Sequence, residues 1–491
     1  IMDIAIEATN SKGKYQIMFW LQIILLPFTT LIIVAGYAFL TKAPTILCRP
    51  KDMSSVPFSK CEMSFYCKHK NTFDMIIDKK ESIDNFALEY DLYCENNFYN
   101  SLISSFFFAG CIAGVFIWSK LPDIYGRYEI YKWLLYLNLF IQLNFLLRIN
   151  IYHLILTSFI SGTTTYSLNI QNILVIETFE RKVASIAMSM MNAGYGIVGI
   201  FLGLYCLSVN NLTILLVLNV VIAFVCVVLT LVYLTESPRW LNANHRVKEA
   251  VAVLKQMAEI NGTSEQFNKF YEENKSLVLH SNERVNIHGT KYTVIDIFKM
   301  KSQRWTLIGV MYVFFTIAVC FYGIFITLNT IIDNFYLNSF LVFIAEIIAE
   351  LGSGFLVNVF GRVRVTVIAC NLGGVAFIIS GVLKKGMVKT VLLFVASFGI
   401  AGALNIMYIY SNEVFPLTIR AMTFGFLFLF SRIGGVVVPL FINNNVYPYI
   451  LGALAISCGI VFVFMKETKD MELEDEVPEA KVEIAASNDY K

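Results

Sequence analysis

The sequence predicts an all-α membrane protein in which twelve transmembrane helices form two pseudo-symmetric six-helix bundles. Three observations carry that prediction. First, the 491 residues are 57% hydrophobic and only 15% charged, with a mean hydropathy of +0.64, outside the range of a soluble domain of this length. Second, apolar runs of roughly 20 residues, the length that crosses a hydrocarbon core, recur along the chain. Third, charged marks at the ends of those runs repeat at nearly one offset. Gly126 and Gly361 lie 235 residues apart, Glu177 with Arg181 recurs as Glu413 with Arg420 after 236, and Glu236 recurs as Glu467 after 231. Such a repeat argues for a duplicated unit.

Taken in order, the chain opens with an inner segment, 1–15. Because Ile1 is not methionine, a further segment is expected ahead of it. The spans are expected near residues 16–40, 98–119, 130–148, 151–176, 184–207 and 211–234 in the N-terminal bundle (16–234). In the C-terminal bundle (304–465) they are expected near 304–328, 336–358, 364–383, 388–411, 419–442 and 446–465. Gly, Ser, Thr and Asn within the runs let helices approach and bond across one another.

Lysine and arginine in the short loops set the orientation. Lys120, Arg127, Lys132, Arg181, Lys182, Arg362, Arg364 and Arg420 fall on one side, against Arg148, Lys384, Lys385 and Lys389 on the other. Both termini then lie inside. So does the central connection, 235–303, where Val247, Ala250, Val251, Leu254 and Ala258 keep helical spacing. They predict an amphipathic helix against the inner face of the membrane, or one packed on its own loop. The first connection, 41–97, lies outside and holds Cys48, Cys61, Cys67 and Cys94. In an oxidising compartment these four allow three pairings, any of which makes the loop an ordered cap. The loop has no N-x-[ST] sequon, which favours a membrane outside the glycosylating pathway. The other six cysteines fall in spans and read as inert core residues. The tail, 466–491, is acidic and reads as solvated.

Several classes are excluded. A net charge of +2 gives nucleic acid no electrostatic hold. The five histidines have no metal-ligand spacing, so neither a metal nor another cofactor is expected, and no catalytic triad is visible. Gly381 and Gly386 have phosphate-loop spacing, but Met387 and Val388 stand where Lys and Ser or Thr are required. Nothing supports an enzyme.

Finer motifs carry a resemblance. Asp123-Ile124-Tyr125-Gly126-Arg127 follows the second span, Leu88-Glu89-Tyr90-Asp91-Leu92-Tyr93-Cys94 precedes it, and Glu236-Ser237-Pro238-Arg239-Trp240-Leu241 follows the sixth. Asn334-Phe335-Tyr336-Leu337-Asn338 opens the eighth, and Asn412-Glu413-Val414-Phe415-Pro416 with Arg420 follows the tenth. From about Gly13 to Lys469 the chain resembles the organic cation, organic anion and carnitine transporters of the major facilitator superfamily. The resemblance implies alternating access, in which two bundles rock about a midplane site. Asp123, Gly126, Arg127, Glu177, Arg181, Glu236 and Arg239 in one half, with Gly361, Arg362, Glu413 and Arg420 in the other, are then gating residues. The plainer reading of the arginines is that they anchor helix ends at the lipid surface.

Ionisable residues inside spans are costly and become site candidates. Glu346 and Glu350 lie one turn apart in the eighth span, and Arg432 lies inside the eleventh. Arg432 falls where anion and carnitine members of the family carry arginine and cation members aspartate, so the resemblance implies an anionic group on the substrate. The other reading of Arg432 is a structural salt bridge to Glu346 or Glu350. Phe314, Phe321 and Asn405 match the family's substrate cavity. Departures from the pattern are Ser119 for a hinge glycine, Tyr128 for a basic residue, Asn358 for the acid of the second hinge, and Ser158 for a fourth-span arginine.

The first functional expectation is therefore a transporter of a small organic anion or carnitine-like zwitterion, with membrane lipids around it, in the plasma membrane by resemblance. The second is a transport-impaired relative serving as a structural subunit among other membrane-protein subunits, with the mitochondrial inner membrane as its alternative location.

Overall fold

The computed structural model describes residues 2–10, 13–52, 57–179, 181–279, 298–299, 301–331, 335–383, 386–415, 417–438 and 446–469. Among the described residues, helical segments stand at all twelve expected spans. Eight helices among these residues are long and apolar enough to cross a membrane by length and composition. They are the second (Asn97–Trp118), third (Arg127–Leu147), fifth (Arg181–Ser208), sixth (Leu212–Tyr233), seventh (Lys301–Ile331), eighth (Phe335–Phe360), ninth (Arg362–Val382) and tenth (Met387–Val414) spans. The eleventh (Leu417–Val437) and twelfth (Tyr447–Val463) are shorter apolar helices in the residues described.

The first and fourth spans are interrupted, each for a local reason. In the first, Lys14–Thr30 gives way to Ile32–Ala35 and Tyr37–Leu40 just after Pro27, which lacks the N–H to continue the ladder. The Thr29 and Thr30 hydroxyls both donate to Leu26 O at 3.0 Å, adding to the bend. In the fourth, Ile151–Thr164 and Tyr166–Thr178 part at Thr165. Thr163, Thr164 and Thr165 donate in succession to the carbonyls of Ile160, Ser161 and Gly162, at 2.7, 2.8 and 2.7 Å, and that back-bonding competes with the helix.

The two halves repeat the same packing. Second on fourth, third on sixth, first on fifth and first on sixth recur as eighth on tenth, ninth on twelfth, seventh on eleventh and seventh on twelfth. Small residues permit the closest of these contacts. A side chain on Gly110 would strike Phe159 O, and one on Gly374 would lie 2.8 Å from Gly452 O. The halves meet along the second and eleventh spans and along the fifth and eighth. There Gly196, Gly199 and Gly203 lie against Ile347, Phe343 and Phe340.

In the outer connection a three-stranded antiparallel sheet forms, ordered β2-β1-β3, from β1 (Ile46–Pro50), β2 (Ser59–Cys61) and β3 (Phe73–Ile77). Of the three pairings open to the cysteines, the structure forms Cys48–Cys61 and Cys67–Cys94, with Cα separations of 5.8 and 5.2 Å. The six span cysteines are free and buried. Asn85 donates to Phe39 O at 2.7 Å, and Asp84 accepts from Leu212 N at 2.9 Å, so the loop is tied to the ends of the first and sixth spans.

The central helix forms at Val247–Asn261, but its apolar face is covered by protein rather than left for lipid. Ala250 packs with Trp240 and Leu241, while Leu254, Met257 and Ala258 pack with Ala5, Ile6, Tyr15 and Phe267. Asn261 fixes this assembly to the start of the first span, accepting from Tyr15 N at 2.9 Å and donating to Thr9 O at 2.7 Å. Neither reading open to this helix describes it in full: it packs on its own loop through Trp240, Leu241 and Phe267, and a helix from the N-terminal segment (Met2–Ala8) supplies a further apolar partner.

Non-reducing peptide mapping should recover Cys48 joined to Cys61 and Cys67 joined to Cys94, with both links lost on thiol reduction. The span cysteines should stay unlinked and react with an alkylating reagent only after denaturation; any other pairing contradicts the loop described.

Candidate functional site

The charged marks assemble into two copies of one device. Gly126 (φ +108°) and Gly361 (φ +91°) turn the chain in a region that other residues rarely adopt, and the third and ninth spans begin immediately after them. The first N–H groups of a helix have no partner within it. Here a carboxylate from the end of the same half accepts them. Glu236 Oε1 takes Arg127 N at 3.0 Å and Tyr128 N at 3.2 Å, together with Ser237 N at 2.8 Å. Glu467 takes Arg362 N at 2.8 Å and Val363 N at 3.0 Å, and the N–H groups of Thr468 and Lys469 at 3.1 Å. Added side chains on Gly126 or Gly361 would collide with these carboxylates.

The arginine that starts each helix then binds an acid one span further on. Arg362 lies bidentate on Glu413, Nε to Oε2 at 2.9 Å and Nη2 to Oε1 at 2.7 Å. Arg127 is looser: its Nε is 3.3 Å from Glu177 Oε2, and Nη2 is 3.0 Å from Asp123 Oδ1. Arg239 interacts electrostatically with Glu177. Although sequence spacing grouped Glu177 with Arg181 and Glu413 with Arg420, the acids bind Arg127 and Arg362. The side chains of Arg181 and Arg420 lie outside the described residues. Every one of these bonds stays within its own half, and among the described residues no ion pair joins the two hinges.

The capping acids are shifted in opposite directions. Burial pushes the Glu236 carboxyl up, more than the N–H groups of Ser237, Tyr128 and Arg127 pull it down. For Glu467 burial also pushes up, but the backbone N–H groups of Arg362, Lys469, Val363 and Thr468 outweigh it and hold the carboxyl below its ordinary 4.5.

Ring and hydrogen-bond contacts between the halves lie at mid-depth and toward the disulfide loop. Phe39 meets Phe335 at 5.0 Å with Lys42 over the same ring at 4.1 Å. Deeper, Phe108 meets Tyr322 at 4.5 Å, Tyr195 meets Phe321 at 5.4 Å, and Asn192 donates to Asn405 Oδ1 at 3.2 Å.

Four of the five residues expected to line a central site come together there. Arg432, half-buried, donates from Nη1 to the Tyr322 hydroxyl at 2.7 Å and lies 4.3 Å over the Phe428 ring. No ion pair joins it to Glu346 or Glu350 among the described residues, so the salt-bridge reading of Arg432 is replaced by a tyrosine contact. Phe321 packs edge-on to Tyr322 at 5.3 Å. Asn405 donates to Glu350 O at 3.0 Å and to Ser353 Oγ at 2.8 Å. Glu346 is fully buried with neither carboxylate oxygen hydrogen-bonded. The fifth, Phe314, is sealed behind this layer, edge-on to Tyr408 at 5.6 Å. Sequence reasoning missed Tyr195, Tyr322, Tyr408 and Phe428. For the three tyrosines the available signal was a hydroxyl carried into an apolar span, which must find a partner there; Phe428 carried no such signal.

Comparison with known proteins agrees with this architecture. The family described as Major Facilitator Superfamily matches residues 96–439. Organic cation/carnitine transporter 2 of Mus musculus is 26% identical over 420 residues, covering 82% of this chain and 72% of that protein. Solute carrier family 22 member 6-A of Xenopus laevis is 25% identical over 417 residues, covering 83% and 74%. Among solved structures, the inward open xylose transporter XylE from E. coli superposes with a TM-score of 0.65 at 14% identity, covering 94% of this chain and 97% of that one.

The two hinge acids predict opposite pH responses. Glu467 stabilises the fold above its ordinary value, and that contribution is lost as pH falls below about 4.5. Glu236 holds its proton longer when folded, so its contribution fades as pH rises from about 4.5 through its raised value. Thermal unfolding across the acid range should show Glu467→Gln removing an acid-side loss and Glu236→Gln removing a loss on raising pH; parallel profiles for the two variants rule this out.

Proposed function

Since the chain belongs to the Major Facilitator Superfamily, we propose that it is a secondary transporter of a small organic anion or carnitine-like zwitterion. It is an integral multi-pass membrane protein, and the relatives' family favours the plasma membrane.

The observation that carries the substrate reading is Arg432. A guanidinium half-buried at mid-span is costly unless it is paired. Here the pairing is incomplete: Nη1 is held by a neutral hydroxyl and Nε has no hydrogen-bond partner. A carboxylate entering beside it gains two charge-assisted bonds, where a bare organic cation meets only repulsion. The surrounding rings of Tyr195, Phe321, Tyr322 and Phe428 offer the π-faces that a quaternary ammonium prefers. Carboxylate on Arg432 and ammonium on the rings describe a carnitine-like zwitterion. Phe314 backs the ring layer, and Asn405 and Glu346 complete the wall of the cleft.

Movement follows from the packing. Each half is tied internally by its own hinge, so the halves can rock as bodies about the mid-depth contacts, exposing Arg432 first to one side and then to the other. The alternative of a transport-inactive subunit drew on the departures at Ser119, Tyr128, Asn358 and Ser158 and on a cysteine loop without a sequon. Both hinges close without the charges replaced at Tyr128 and Asn358, which favours transport.

Purified protein in liposomes should take up labelled carnitine or a short dicarboxylate. Loss of one charge-assisted contact amounts to about 10- to 100-fold, so Arg432→Asp should abolish uptake and Arg432→Lys should reduce it by about tenfold. Uptake unchanged in Arg432→Asp removes this residue from the site.

A further inference from the structure

We propose that Lys42 is an outer station for the substrate carboxylate: its ammonium rests on aromatic rings while the halves meet at the outer face, and takes the carboxylate when they part. The inference rests on the transport reading above and adds the residue that meets the substrate before Arg432 does.

Lys42 stands just beyond the first span, at the outer end of the seam between the halves. Its backbone is fixed to the N-terminal half. Asn85 donates to Phe39 O at 2.7 Å and to Lys42 O at 3.0 Å, and the neighbouring Asp84 accepts from Leu212 N at the start of the sixth span. Its side chain crosses to the other half. Nζ lies 4.1 Å from the ring centroid of Phe335 and 5.5 Å from that of Tyr336, where the eighth span begins. Phe39 closes the same cluster, edge-on to Phe335 at 5.0 Å. A lysine at a span end ordinarily extends to water and lipid headgroups. This one is turned onto rings of the opposite half, is half-buried, and has no ion pair among the described residues. Burial accordingly pushes its ammonium down.

The cation is thus held by rings for want of an acid. Ring faces attract an ammonium, but they restore only part of what it loses on leaving water. A carboxylate restores more. Phe335 and Tyr336 ride on the opposite half, so rocking that parts the halves at the outer face draws them away and leaves Lys42 where an arriving anion enters. The same pairing recurs deeper, where Arg432 lies 4.3 Å over Phe428 and donates to Tyr322. Two cations, each beside rings, therefore follow one another from the outer face to mid-depth. Each offers a carboxylate a charged partner and a quaternary ammonium a π-face. A carboxylate on Lys42 also competes with Phe335 for the one ammonium, so the outer side stays open until the substrate moves on to Arg432.

The protein carries its own reporter. Cys206, near the outer end of the fifth span, is a free buried thiol within electrostatic range of Lys42 and Tyr336. The test uses the full chain in liposomes, with a membrane-impermeant maleimide outside and modification of Cys206 followed by peptide mass. Without an organic anion Cys206 should stay protected. Succinate at about ten times its Kd should speed modification about tenfold, while choline should have no effect. The succinate response should vanish in Lys42→Gln and persist in Lys42→Arg. It should also persist in Arg432→Gln, which lacks the deeper cation. For labelled carnitine supplied outside, Lys42→Gln should raise KM about tenfold with kcat little changed. A succinate response retained in Lys42→Gln, or absent from wild type or from Lys42→Arg, overturns the proposal, as does an unchanged KM in Lys42→Gln. If no organic ion is taken up at all, the transport reading fails, while labelling of Cys206 still decides whether Lys42 takes a carboxylate.

Discussion

The structure depends on one constraint: a helix that starts at a membrane face must find acceptors for its first N–H groups. At two places this chain starts a span directly after a glycine turn, and in both the acceptor is a glutamate from the far end of the same half, Glu236 or Glu467. That choice has a structural consequence beyond capping. It links the beginning of the third span to the end of the sixth, and the ninth to the twelfth, so each half is closed on itself by a charge-assisted bond. The arginines then add the fourth and tenth spans to the same knot. Rigid halves are what a rocking mechanism requires, and here the rigidity is concentrated at one face of the membrane.

Much of this was legible in the sequence because the relevant residues are costly where they stand. Glycine before a charged helix start, acids at the ends of apolar runs and a repeat near 235 residues pointed to two related halves, and the helices confirm twelve spans. The partners were less legible. Spacing along the chain put Glu177 beside Arg181, whereas the fold brings Arg127 to it across a loop and a span. Interruptions in the first and fourth spans were hidden because hydropathy is blind to them; they arise from Pro27 and from three consecutive threonines, whose hydroxyls compete for the helix carbonyls.

The mid-depth cluster was read in part. Arg432, Glu346 and Glu350 declared themselves as charges inside apolar runs. Their lack of mutual pairing could not be foreseen, since one helical turn on the eighth span and one position on the eleventh leave the distance between them open. Tyr322, which holds Arg432, was hard to single out among 25 tyrosines and 41 phenylalanines, because an aromatic in a span faces lipid, core or a neighbouring helix with equal ease. The packed central helix was likewise undecided by periodicity, which reports that one face is apolar and not what covers it.

The glycine stripe at Gly196, Gly199 and Gly203 has a mechanical meaning. Where two helices interlock by large side chains, displacement along the seam lifts ridges out of grooves and is opposed at every step. A backbone stripe without side chains instead leaves notches, and Phe340, Phe343 and Ile347 are seated in them. The seam between the halves is therefore as thin as two backbones allow, and any larger side chain on the stripe would wedge it apart.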